Sequence, residues 1–473
     1  MLNFSDFPSC EKALGFFEEF SKIPRGSGNT KAIADYLVAF ANARGLEVIR
    51  DASDNVIIKK PATEGYEGHP GIIIQGHTDI VALKNPDCSI NMDKEGLDLY
   101  RDGDYLRARG TTLGADDGVA MAYAMAILDS DDIPHPEFEA VFTSDEEVGL
   151  LGATALDTSV LHGKMLINID SDEEGIFTAG CAGGGRIDIK LSGKAKTYIG
   201  QIYTLQIGGF KGGHSGVEIH KNRANAIKIA AEILSGLEDV RIGKMSAGSA
   251  DNAIPSDAML FFTTKSSIFE ISEKINDAKE NLPEAETDAT FKIDMKLFSA
   301  KLYSQEDSAN IISMLTEMPN GVTRMSEDIE GLVETSLNMG IINIDEKSVA
   351  LTISVRSAVG EEKGKLISKV KDIATSHGAT VEVRGEYPAW EYRKESRLRD
   401  VMCQVYKDMY GKDATVVTIH AGLECGIFSD KMDELDCVSI GPDNHDIHTP
   451  EERLSLSSFN RVYEYLINVL KNL

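Results

Sequence analysis

The sequence predicts an α/β protein in which a mostly parallel sheet is layered with helices and interrupted by an inserted α+β segment. Three observations lead there. Apolar runs of strand length (NVIIKK, GIIIQGHTDIVAL, FEAVFTSDEE, KMLINIDSDE) alternate with helical patterns over residues 1–186. After AGCAGGGRIDIKL the texture changes, and strand and helix patterns run on to Glu386 with few chemically special residues. From YPAWEYRKES onward the first texture returns. The first domain is therefore expected to be discontinuous, residues 1–186 and 387–473, around an insert of residues 187–386.

Taken in order, residues 11–45 read as helical: TKAIADYLVAFANARG places apolar residues at helical spacing, and Gly45 is a stop signal. NVIIKK and GIIIQGHTDIVAL read as buried strands. DDGVAMAYAMAILDS is a helix of small residues suited to packing on a sheet. In the insert, YTLQIGGFKGGHSG precedes the helical RANAIKIAAEILSGL, and VALTISVRSAV precedes the helical EEKGKLISKVKDIATSHG. The two strand–turn–helix stretches point to two similar halves, although their identity is too thin to assert a duplication. Near the C-terminus, RLRDVMCQVYKDMYG is helical and CVSIGPDNHDIHTP is a strand entering a polar loop. The glycine-rich GCAGGGR lacks the GK[ST] ending of a phosphate loop and reads as a crossing between domains.

Bulk properties exclude several function classes. The 76 acidic side chains outnumber 48 basic ones, for a net charge of −28. That argues against nucleic acid as a partner, because phosphate binding needs clustered Lys and Arg. The N-terminal stretch carries early acidic residues and no secretory h-region. The most apolar run, Val119 to Leu128, is far too short to span a membrane. Six scattered cysteines without a CxxC read as free thiols. A cytoplasmic location is the expectation.

The stretch AVFTSDEEVGLLGA raises a chemical question: an apolar strand ends in Asp145, Glu146 and Glu147. Adjacent carboxylates repel unless a positive charge is near. Alone, such a triplet is a solvated turn. Here, however, most strand ends carry a metal-binding residue type: His77 and Asp79 in GHTDIV, Asp116 and Asp117 in GTTLGADDGVA, Asp170 in NIDSDEEG, and His445 and His448 in GPDNHDIHTPEE. His77 and Asp79, two apart on a strand, share a face, so one can bind a metal while the other steadies the site. In open α/β sheets functional groups collect beyond the carboxyl ends of strands. Two histidines with three or four carboxylates suit a pair of divalent ions bound through N and O. Cations would offset the repulsion.

These motifs, in this order, resemble the M20 family of co-catalytic metallopeptidases over nearly the whole chain. RGTTLGADDG and HAGLECGIF resemble its aminoacyl-histidine dipeptidase branch. The resemblance implies a two-domain architecture, a di-metal catalytic domain with an inserted lid. It implies that Asp116 bridges two metals, with His77 and Asp170 completing one site and Glu147 and His448 the other. Asp79 would orient His77, Glu146 would be the general acid/base, and the Asp116–Asp117 peptide would be cis. From the lid, His214 of GGHSG would reach the scissile carbonyl, Arg356 of SVRSA would grip the substrate carboxylate, and Asn252 of DNAIP would touch substrate. Glu424 of HAGLECG would meet a free amine. The implied cofactors are two divalent ions per chain, zinc first, with cobalt or manganese acceptable to the same donors. The implied substrates are unblocked dipeptides of the Xaa-His type, with other short peptides or N-acyl amino acids as the alternative, and a homodimer is compatible with the reading. A non-catalytic binding protein would require loss of the base or of a ligand, and all are present.

Overall fold

The structure, a computed structural model, describes residues 2–327, 329 and 331–473. The chain divides into two compact units. One comprises Met1–Cys181, Tyr392–Thr418 and Leu423–Leu473; the other comprises Ala182–Glu391 and Ile419–Gly422.

The first unit is built on a sheet whose strands run, from one edge to the other, Glu47–Arg50, Val56–Lys60, Phe138–Thr143, Ile72–His77, Met165–Asn168, Asp436–Ser439, Ile176–Cys181 and Thr415–Ile419. The central four are parallel. The Glu47–Arg50 and Val56–Lys60 strands on one side and Ile176–Cys181 on the other join antiparallel. Parallel character is thus confined to the centre of the sheet, because an apolar run does not encode strand direction. The central strands are apolar and buried, as a sheet covered on both faces requires. Helices Glu11–Phe20, Lys31–Ala43, Ala115–Leu128, Arg397–Tyr410 and Leu456–Asn472 share its core. The Ala115–Leu128 helix is buried almost throughout, and its small residues, Gly118 and the alanines at 120, 122, 124 and 126, let it pack close to the sheet. Strands Leu99–Asp102, Tyr105–Ala108, Asn444–His445 and Arg453–Ser455 form a small antiparallel sheet that anchors the loop carrying His448.

The second unit is built on a nine-stranded antiparallel sheet, with Gly213–His214 and Ala253–Ile254 paired separately. Its strands run Thr290–Leu302, Lys196–Gly208, Ala258–Thr263, Arg241–Ala247, Val333–Ile344, Ser348–Ser357, Gly183–Ser192 and Thr380–Tyr387, with Gly321–Met325 also paired to Val333–Ile344. Helices Ala226–Ser235, Ile268–Glu280, Gln305–Glu317 and Gly360–Ser376 contribute to its core. The two strand–turn–helix stretches of similar pattern fall in different halves of this sheet, Lys196–Gly208 in one and Ser348–Ser357 in the other.

Candidate metal centre

The parallel strands of the first unit end side by side, and the ligand residues follow directly. His77 is the last residue of its strand, Glu146 and Glu147 lie just beyond Thr143, and Asp170 lies just beyond Asn168. Asp116 enters from the start of the Ala115–Leu128 helix, at a cis Asp116–Asp117 peptide. His448 enters from the late loop with a positive φ of 58°. Gly76 makes the first two approaches compatible: a Cβ there would overlap Ala120 Cβ and Asp117 Oδ2.

Asp116 stands at the centre. Its Oδ1 lies 2.9 Å from His77 Nε2 and its Oδ2 lies 3.0 Å from His448 Nε2. His77 Nε2 is also 3.8 Å from Asp170 Oδ1 and 4.0 Å from Glu146 Oε2. Among the described residues, ligand atoms within 4.8 Å of one another form three groups: His77, Asp116 and Asp170; Asp116, Glu147 and His448; and His77, Glu146 and Glu147. The first two share Asp116 and are the two ligand sets expected from the sequence.

Two details test whether these residues fit metal ions. His77 Nδ1 donates to the Asp79 backbone carbonyl at 3.0 Å. In the neutral ring that leaves a lone pair on Nε2, aimed at an Asp116 oxygen, and two such acceptors need either a proton or a metal ion between them. Glu147 Oε1 is buried without a hydrogen-bond partner although His448 Nε2 lies 2.9 Å away. Close approach without donor alignment suits two ligands aimed at one ion. The donor set, imidazole nitrogens and carboxylate oxygens, is that of a borderline divalent cation.

The electrostatics agree. Burial opposes charge on His77, yet the Asp116 and Asp79 carboxylates hold its pKa well above the usual value. The hydrogen bond to Asp116 and then the adjacent Glu147 carboxylate raise His448 to about 10. Burial, then Asp116, pushes Asp170 well up. Burial raises Glu146 to about 8, assisted by Glu424, Glu147 and Asp116 and opposed by His77. Without metal the site competes for protons, and a cation satisfies the same field.

Asp79 sits where expected but does more than steady His77. Its carboxylate lies 3.6 Å from His77 Nδ1. It also accepts hydrogen bonds from Ser27 Oγ (2.8 Å) and from the backbone N–H groups of Glu146 (3.0 Å) and Glu147 (3.3 Å). Asp79 thereby fixes the turn that carries both glutamates. Glu424 is fully buried; Thr143 Oγ1 (2.6 Å) and Gln75 Nε2 donate to its Oε2, while its Oε1 has no partner. Burial pushes Glu424 to about 7. His445 joins none of the three groups and packs its ring 6.1 Å from that of Tyr105.

Two residues that sequence reasoning missed hold the ligand loops together. Buried Arg25 donates from Nη1 to the Thr78 carbonyl (2.8 Å) and from Nη2 to the Gly114 carbonyl (2.6 Å). Buried Glu452 accepts from the N–H groups of Leu113 (2.7 Å), Gly114 (2.9 Å), Ala115 (2.9 Å) and Asp116 (3.4 Å). Glu452 lies four residues after His448, so one carboxylate links the loops that supply two ligands. Its sequence signal was the second glutamate of HTPEE, indistinguishable there from a surface charge.

The second unit gathers the remaining predicted residues. His214 Nδ1 accepts from the N–H groups of Gly216 (3.1 Å) and Val217 (3.2 Å), which places the ring proton on Nε2. Burial and then Arg356 hold His214 below its usual pKa. His214 pairs with Ala253, next to exposed Asn252. Arg356 donates to Tyr387 Oη at 3.2 Å, and its Nε is buried without a partner. His420, which sequence reasoning passed over, hydrogen-bonds Ser336 Oγ through Nε2 at 2.7 Å, and Ser336 pairs across the sheet with Arg356.

Comparison with known proteins bears on this geometry. The family model described as peptidase family M20/M25/M40 matches residues 73–472. The chain is 33% identical over 469 residues to the cytosol non-specific dipeptidase of Escherichia coli K12, covering 97% of this chain and 96% of that protein. It superposes on the crystal structure of aminoacylhistidine dipeptidase from Vibrio alginolyticus with a TM-score of 0.92 at 34% identity, covering 97% and 96% of the two chains. Aminopeptidase PepT of Bacillus cereus shares the fold, with a TM-score of 0.58, 18% identity and 98% of each chain covered. With carboxylates and histidines converging on Asp116 and a family match over most of its length, the chain belongs to peptidase family M20/M25/M40.

Proposed function

We propose that this protein is a cytosolic dipeptidase that cleaves unblocked dipeptides, including Xaa-His substrates such as β-Ala-His. One observation carries the reading: Asp116 faces a different histidine with each oxygen, and Glu146 stands beside it at the end of a neighbouring strand. The names and extents of the E. coli and Vibrio relatives support the substrate class and the cytosolic location.

His77, Asp116 and Asp170 would hold one divalent ion, and Asp116, Glu147 and His448 a second, with zinc the natural choice for these donors. When bound, such ions lower the pKa of a nearby water and polarise a carbonyl. The side chains do the rest. Glu146, not needed as a ligand in either set, accepts the proton of the attacking water and returns it to the leaving amine. Asp79 keeps Glu146 and Glu147 in register, so one carboxylate binds metal while its neighbour stays free to move a proton. His214, its proton on Nε2, donates to the developing oxyanion. Arg356 takes the substrate carboxylate through its planar fork, Asn252 adds a polar contact, and the free Oε1 of Glu424 takes the amine. In this reading the inserted unit acts as a lid that carries His214, Asn252 and Arg356 to the substrate.

The test is metal analysis of purified protein followed by a kcat/KM series. The series uses one dipeptide, its N-acetylated and amidated forms and its tetrapeptide extension. Two ions per chain and a strong preference for the free dipeptide are expected. Equal rates across the series, or faster cleavage of the acetylated form, would move the protein to the amidohydrolases of the same family.

A further inference from the structure

Two of the predicted substrate residues, His214 and Asn252, lie in neighbouring loops of the second unit, and one buried side chain ties those loops to its sheet. Asn338 stands within strand Val333–Ile344 and is 1% exposed. Its Nδ2 donates to the carbonyls of Asp251 (3.3 Å) and Ala253 (2.8 Å), the residues on either side of Asn252. The carbonyl between them, that of Asn252, accepts from the N–H of Ser215 at 2.8 Å, and Ala253 pairs with His214. Three successive carbonyls are thereby held, while the Asn252 side chain stays exposed. An ordinary surface turn leaves such groups to water. Here the backbone is fixed and only the side chain is free.

The direction of these hydrogen bonds is set at both ends by backbone groups. Asn225 caps helix Ala226–Ser235, its Oδ1 accepting from the N–H groups of Ile227 (3.0 Å) and Lys228 (3.4 Å). Its Nδ2 is left to donate to Asn338 Oδ1 at 3.2 Å, which turns Asn338 Nδ2 towards the loop. With N–H donors at one end and carbonyls at the other, each amide has only one orientation that satisfies it. An aspartate at 338 would keep the shape and, when ionised, offer the loop no donor. The strand also makes room for the loop. Its register with Ser348–Ser357 shifts between Met339 and Ile341. At Gly340, inside that bulge, a Cβ would lie 2.7 Å from Asp251 Cα. Only glycine lets the two backbones approach so closely.

We propose that Asn338 is a positioning residue of the peptidase reaction: it holds the Asp251–Ala253 backbone so that the Asn252 side chain meets substrate in register with His214. The proposal rests on Asn252 as a substrate contact, and the test separates the two.

The test is a double-mutant cycle, read as steady-state kinetics of the metal-loaded full chain on one free dipeptide. N252A should lower kcat/KM about tenfold, the cost of one hydrogen bond to substrate. N338D should lower it by about as much, and should divide the loss between kcat and KM in the same proportion as N252A. In the N252A background, N338D should add less than about twofold, because the group it misplaces is already gone. G340A pushes the same loop off the strand without touching the amide and should give the same pattern; it carries the test if N338D does not fold. Metal content should match the parent's in every variant. Parent-like kinetics in both N338D and G340A would overturn the proposal. Losses that multiply with that of N252A would overturn it as well, and would leave Asn338 a residue that only stabilises the fold. A silent N252A would remove Asn252 from the substrate site and the proposal with it, whereas a costly N252A beside a silent N338D and G340A would leave Asn252 in place and remove Asn338 alone.

Discussion

In the first unit, Asp79, Asp116, Glu146, Glu147 and Asp170 converge around two histidines; in the second, His214 and His420 surround Arg356. The two clusters pose opposite electrostatic problems. Burial and neighbouring carboxylates raise Glu146 and Asp170, and the carboxylates hold the nearby histidines protonated, so the first cluster favours cations. In the second, burial and Arg356 lower both histidines, His420 to about 4. That cluster keeps neutral rings around one fixed positive charge and suits a negative group.

Breaking the first cluster at its proton acceptor should have the largest effect. E146Q removes the base and keeps the shape, so kcat should fall about 100- to 10,000-fold while metal content stays at the parent's level. Near-normal turnover would remove Glu146 from its role. In the second cluster, H214A should lower kcat about 100- to 1,000-fold, the typical cost of one oxyanion donor, again with metal content unchanged. If metal content fell with it, His214 would be acting on the metal centre and not on substrate.

Two conservative substitutions sharpen the contrast. R356K keeps the charge and loses the fork. It should reduce kcat/KM about tenfold or more on free dipeptides, with a smaller effect on C-terminally amidated ones. E452Q should act on the other cluster. An amide in place of the carboxylate offers only one acceptor oxygen to the four backbone N–H groups at Leu113–Asp116. Metal affinity should drop about 10- to 100-fold by chelator competition. Unchanged affinity would reduce Glu452 to a fold-stabilising residue.

The same contrast explains what the sequence revealed. Ligand residues were legible because each lies at or just past the end of a strand or the start of a helix, and because carboxylates and histidines recur there in a pattern that a solvated turn does not explain. The small-residue helix Ala115–Leu128 was legible because its composition follows directly from burial against a sheet. Arg25 was not: residues 11–45 read as helical, whereas Arg25 lies between helices Glu11–Phe20 and Lys31–Ala43, and its partners Thr78 and Gly114 are far along the chain. A buried arginine is also rare enough that composition argues against it. Asp79 was assigned to His77 because the two share a face, but the hydrogen bonds that show it gripping the Glu146–Glu147 turn depend on strand adjacency. Tetrapeptide Ile419–Gly422 was unreadable as part of the second unit, because the chain on both sides of it belongs to the first. The antiparallel flanks of the first sheet were hidden for the same kind of reason, since periodicity reports burial and not direction.

The smallest effect, and the one most specific to the carboxylate cluster, is on the pH dependence of stability after chelation. Glu146 goes from an ordinary 4.5 to about 8 in the folded, metal-free protein. The folded state then binds its proton more tightly than the unfolded state, so the stability this group contributes is lost as pH rises from about 4.5 to 8. His448 goes from 6.5 to about 10. Its contribution is present below 6.5 and is lost as pH rises towards 10. Asp116 and Asp79 are lowered and act only in acid, below the range of interest. Between pH 6 and 9 these two groups push the same way, together with His77, Asp170 and Glu424, which are raised as well, and the chelated protein should become less stable as pH rises. Each kcal/mol lost corresponds to a fall in Tm on the order of 2–4 °C for a unit of this size. With metal bound the trend should flatten or reverse, because the ligands must be deprotonated to hold the ions. Scanning calorimetry of chelated and metal-loaded protein across that range checks the sign. The E146Q variant should show a shallower slope when chelated, since one of the titrating groups is gone. A chelated protein whose Tm rises from pH 6 to 9 would mean that the carboxylates at the strand ends are solvated after all and do not strain against one another.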